Sequence, residues 1–114
     1  MPTISYNESV KRRIADKPEL AGEMLEDAVN SLLAGELDEG RLLLRQYVKA
    51  TIGFQELAER TGKIDKALMR TLSAQGNPTA TNLFEIIQAC VKAEGVSLSA
   101  HVVRDGGMNT PAPI

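Results

Sequence analysis

Apolar residues recur along this chain at spacings of three and four almost throughout, and that period predicts helices. Ser5 and Glu8 stand at capping-box spacing, so a short helix is expected from there to about residue 15. Pro18 disfavours helix at the residue before it yet suits a first turn. It therefore ends that helix at Asp16-Lys17 and opens a second over about 18–34. The stripe of this second helix is Leu20, Ala21, Met24, Leu25, Ala28, Val29, Leu32 and Leu33, and Gly35 is a natural C-cap. Asp38 is placed to cap a third helix to about residue 51, with Leu43, Leu44, Tyr47 and Val48 facing inward.

From Gly53 onward the predicted elements shorten. Residues 54–61 make two helical turns, Gly62 stops them, and a new helix opens near Asp65 and runs to about residue 74. Gln75-Gly76-Asn77-Pro78 is a concentrated turn signal. A long helix is expected over about 79–94, with Leu83, Phe84, Ile87, Cys90 and Val91 on one side and Gly95 at its end. Val96, Leu98, Ala100 and Val102 then alternate with Ser97, Ser99 and His101, which is the period of a strand. A lone strand must pair with another segment or another chain. The expected fold is all-α, with five or six helices and a short C-terminal strand. An acidic N-terminal helical extension over 1–37 precedes a unit over 38–103, and residues 104–114 read as a flexible tail.

Composition narrows the setting. A chain of 114 residues has room for one domain with an appended segment. The single cysteine, Cys90, excludes an intrachain disulfide and fits a reducing compartment. No run approaches the ~20 apolar residues of a membrane span. The first residues carry no apolar stretch behind their basic ones, unlike a signal peptide. A cytoplasmic protein with no membrane partner is expected.

The net charge of −2 argues at first against a polyanionic partner, but the distribution is polarised. Residues 1–40 hold four Lys/Arg against nine Asp/Glu, a net of −5. Residues 41–78 hold seven (Arg41, Arg45, Lys49, Arg60, Lys63, Lys66, Arg70) against three (Glu56, Glu59, Asp65), a net of +4. Residues 79–114 hold two against three, a net of −1. Local positive potential, not the total, meets phosphates. The centre of the chain is where nucleic acid would sit.

That centre carries the constellation of a helix-turn-helix over 54–74. Two helices that cross closely need a small residue at the contact, here Ala58. The turn needs a residue that tolerates positive φ, here Gly62. Leu57, Ile64, Leu68 and Leu72 supply the inward anchors. The second helix must keep a polar face for the major groove, and Lys66, Met69, Arg70 and Thr71 are its candidates, with Asp65 and Ala67 beside them. Taken alone, the same pattern also suits two short helices of an ordinary bundle.

Gln55-Glu-Leu-Ala-Glu-Arg-Thr-Gly62, Leu68-Met-Arg-Thr-Leu72, Gly76-Asn-Pro-Thr79 and Asn82-Leu-Phe-Glu-Ile-Ile87 resemble the lambda-repressor-like (XRE/Cro-type) DNA-binding domain. With Tyr6–Ser9, residues 16–19 and 28–38, the likeness extends over most of 6–98. There it resembles the addiction-module antidote family, the HigA-type antitoxins that partner RelE/HigB-like toxins. The resemblance implies a homodimer that binds double-stranded operator DNA and, as an antitoxin, sequesters a toxin. By position it assigns DNA contacts to Gln55, Lys63, Asp65, Lys66, Met69 and Arg70. The family's turn commonly runs apolar, Ser, basic, whereas this chain has Lys63, Ile64 and Asp65. Asp65 suits a helix cap, but its charge opposes phosphate, and it would accept at best from a cytosine amino group.

The remaining chemistry is sparse. His101 is the only histidine, which leaves no histidine metal cluster or acid–base pair. Cys90 has no partner for a nucleophilic dyad and lies on an apolar stripe. Glu23, Glu26 and Asp27 read as a solvated helix face, or as a surface for a basic partner. Tyr6 and Tyr47 are too few for a base-stacking platform. No cofactor and no enzymatic activity are expected. The rival to a DNA-binding regulator is a protein-interaction module that holds a basic partner without reading DNA.

Overall fold

The predicted breaks at Asp16-Lys17 and Gly35 are where the chain turns. A computed structural model describes residues 6–104, with side chains from Glu8 onward, and its regular elements are six α-helices. They are α1 (Tyr6–Asp16), α2 (Glu19–Leu33), α3 (Leu37–Ala50), α4 (Gly53–Thr61), α5 (Asp65–Thr71) and α6 (Ala80–Glu94). Ser5, the expected capping residue, and all of the expected tail except Arg104 lie outside the described residues.

Helix ends follow backbone chemistry. Gly35 takes a φ of +85° after α2; its amide donates to Leu32 O and that of Glu36 to Ser31 O, a Schellman closure that satisfies orphan carbonyls. Gly95 closes α6 the same way, with its amide on Lys92 O and that of Val96 on Val91 O. Thr79 caps the start of α6 through its Oγ1, which accepts from the Asn82 amide at 3.1 Å. The expected cap of α3 differs. Asp38 lies inside the first turn, after an N-cap at Glu36, and its carboxylate holds Arg41 instead.

One core runs through α2 to α6. Ala21, Leu25 and Ala28 of α2 meet Leu44, Tyr47 and Val48 of α3, and the cluster continues through Phe54, Leu57, Leu68, Leu72, Ile86, Ile87 and Cys90. The acidic α2 thus buries its apolar stripe in the same core as the basic centre, and α1 lies against α2 and α3. At Gly40 the α2–α3 approach is close: a Cβ there would stand 2.6 Å from Leu32 Cγ.

Three expectations are corrected. No strand occurs among the described residues; 96–103 is extended, and beyond Val96 its backbone makes no bond to another described backbone group. Every other regular element is helical, so the segment has no ladder to join. Phe84, placed on the inward side of α6, is 60% exposed. It lies about 100° round the helix from Leu83, on the shoulder of a stripe centred on Ile86, Ile87 and Cys90. Ile64, placed among the inward anchors, is 71% exposed. Its backbone is extended, as a residue preceding the first turn of α5, so its side chain leaves the Leu68/Leu72 stripe.

Candidate nucleic-acid interface

Residues 53–72 form two short helices joined by Gly62, Lys63 and Ile64. Gly62 adopts a φ of +72° and its amide donates to Ala58 O at 2.9 Å, so the chain reverses in a conformation that L side chains rarely adopt. α4 packs on α3, α5 and α6. Phe54 and Leu57 are buried on α4, and Leu68 and Leu72 anchor α5 and its end. Ala58 packs against the core, as a small residue at this contact should.

With Leu68 inward, α5 turns Lys66, Ala67, Met69 and Arg70 to solvent. Neither Lys66 nor Arg70 is in an ion pair with a described residue. Thr71, the other candidate for this face, is half-buried and donates its hydroxyl to Ala67 O at 2.9 Å. Asp65 begins the helix, and its Oδ1 accepts from the Lys66 amide at 2.7 Å. A carboxylate there satisfies one orphan donor and suits the positive end of the helix dipole. Gln55 is exposed on the first turn of α4.

Lys63 is engaged elsewhere. Its Nζ lies 3.1 Å from Glu85 Oε1, tying the turn to α6. Two more cations of the basic centre are also paired. Arg60 bridges Glu56 one turn back on α4, at 2.9 Å. Arg41 is buried, its side chain only 9% exposed; one nitrogen holds Asp38 at 2.6 Å and Nε donates to Ser73 O at 3.4 Å. Arg41 therefore braces the chain just past α5 and is not part of an open basic surface. The Asp38–Arg41 spacing of one helical turn is legible in the sequence, but the contact with Ser73 joins residues 32 apart.

Gly76 has a specific job in the link to α6. A Cβ there would run into the carbonyl oxygens of Arg70 and Thr71, so only glycine lets the loop fold back against the end of α5. Behind this region, Tyr47 and Cys90 are fully buried and Tyr47 donates its hydroxyl to Glu94. Burial, and then the Glu94 charge, raise the Cys90 thiol from its ordinary 9.0 to about 12. No helix among the described residues is long and apolar enough to cross a membrane. The chain matches no family model, no curated protein and no solved structure.

Proposed function

We propose that this chain is a sequence-specific DNA-binding regulator that reads an operator as a homodimer through α4, the turn and α5. In this reading those elements are a helix-turn-helix of the lambda-repressor-like kind, and the protein is the antitoxin of a toxin–antitoxin module, repressing its own operon. The observation that carries the reading is the outer face of α5, where two cations with no ion-pair partner among the described residues flank Met69. Lys66 and Arg70 suit phosphates or guanine edges, Met69 suits a thymine methyl, and Gln55 suits a phosphate at the start of α4.

With two such cations per protomer, a dimer neutralises four phosphates, and log K falls with log salt at a slope of about −3.6. The test is a salt titration of binding to DNA from upstream of its own gene. The native chain is expected to bind with that slope, and Lys66→Ala with Arg70→Ala to flatten it. Both residues are exposed, so the double variant keeps its stability to within about 0.5 kcal/mol. No binding by the native chain at low salt overturns the proposal.

A second reading, a module that holds a basic partner protein, is favoured by the pairing of Arg41, Arg60 and Lys63 with carboxylates and by Asp65 at the head of α5. Co-purification with a small basic protein, without a DNA shift, selects it.

A further inference from the structure

Large apolar side chains are exposed at ten described positions, and six of these lie in one region: Leu33, Phe84, Val96, Leu98, Val102 and Val103. The first four line an open groove of about 610 Å³ between α2, α6 and the extended segment that follows α6. The last two continue the segment beyond the groove, 90% and 82% exposed. Patches of this kind mark interaction surfaces more often than chance exposure does.

The segment itself indicates what covers it. Its backbone beyond Val96 makes no bond to another described backbone group, so a row of donors and acceptors stands open. Proteins blunt such edges with lysine, proline or a bulge. Residues 96–103 contain no charged residue, no proline and no glycine. An unblunted, uncharged edge beside an apolar patch is a pairing edge.

We infer that residues 96–102 pair antiparallel with the same segment of a second copy, about a two-fold axis at Ser99. The choice of partner follows from register. Residues directly opposite in an antiparallel pair point to the same face, and a slip of one residue sets apolar against polar. A two-fold centred on Ser99 sets Val96 opposite the partner's Val102, and Leu98 opposite the partner's Ala100. It puts Ser97 opposite the partner's His101 on the other face. The segment is therefore complementary to itself, and a two-fold closes the assembly at two copies. Seven paired residues fall short of the roughly 1,200 Å² of a stable interface. Leu33 and Phe84, beside the segment, supply the added apolar area.

The inference names the interface of the homodimer in the proposed function and in that respect rests on it, but it is read without nucleic acid, so its failure is distinguishable from a failure to bind DNA. In sedimentation experiments the full chain is expected to be a dimer. Leu98→Lys with Val102→Lys sets lysines opposite the partner's Ala100 and the partner's Val96, diagonal to the partner's own lysines, and is expected to weaken self-association about tenfold or more, with the helical circular dichroism unchanged. On mild oxidation Ser99→Cys is expected to give a covalent dimer, and Ser97→Cys is not. A native chain that stays monomeric at high concentration overturns the inference, as does a lysine variant that dimerises like the native chain. Equal cross-linking by Ser97→Cys and Ser99→Cys overturns the register.

Discussion

Tyr47 and Cys90 come together from α3 and α6 beside Glu94, and their environment makes the fold sensitive to alkali. Burial raises the tyrosine hydroxyl well above its ordinary 10.0, with the hydrogen bond to Glu94 adding to it, while Cys90 is held at about 12. Both protons are bound more tightly in the folded chain than in the unfolded one. Their stabilisation is complete below about pH 9, and it is lost as pH rises through the folded value of Cys90, with Tyr47 adding to the loss above about pH 10. Each group contributes a slope of about 1.4 kcal/mol per pH unit where only the unfolded form has lost its proton. Urea unfolding is expected to give a stability about 2–4 kcal/mol lower at pH 11 than at pH 8. Tyr47→Phe is expected to roughly halve the slope above pH 10, leaving the share that belongs to Cys90. Neither residue signals this role in the sequence, where Cys90 is one apolar position on a stripe and Tyr47 another.

At the scale of elements, the apolar stripe of α2 is as deeply set as any in the molecule, since Leu25 and Ala28 are fully buried. Leu25→Ala is expected to cost about 2–5 kcal/mol in chemical denaturation, the range for a leucine lost from a packed core. A loss below 1 kcal/mol would show that α2 is dispensable to the core. The two close approaches rank differently. Gly40→Ala presses chiefly on the side chain of Leu32, whereas Gly76→Ala presses on the carbonyl oxygens of Arg70 and Thr71. Gly76→Ala is therefore expected to be the more destabilising, by about 1–3 kcal/mol, with Gly40→Ala below it in the same assay. The turn residues were legible because a positive φ selects glycine at Gly35, Gly62 and Gly95. Gly76 was legible only as a turn former, since its φ is ordinary and its constraint is a contact.

Over the whole molecule, the charge layout sets how strongly any DNA reading depends on salt. The net of +4 between residues 41 and 78 overstates the open positive surface, because Arg41, Arg60 and Lys63 are each matched to a carboxylate. The two exposed pairs, Arg60–Glu56 and Lys63–Glu85, contribute little stability but lower the local potential. The slope of about −3.6 proposed above counts only Lys66 and Arg70 in two protomers, and a measured slope near −7 would mean that the ion pairs open on DNA. Two binding faces in one assembly also require the second copy that the 96–103 segment is inferred to recruit.

The sequence by itself determined the six helices and their breaks, because helical period and glycine or proline chemistry act over a few residues. It also determined the inward positions of Leu57, Leu68 and Leu72 and the outward positions of Lys66, Met69 and Arg70, for the same local reason. Only the tertiary structure decided the outward turn of Phe84, the bracing of Ser73 by Arg41, the Lys63–Glu85 tie and the absence of a ladder at 96–103 among the described residues. Each of these depends on which distant elements are available as neighbours, and spacing along the chain does not encode that. A residue at the edge of a stripe is buried only if another helix covers that edge. A strand pattern becomes a strand only where a second strand offers its hydrogen bonds.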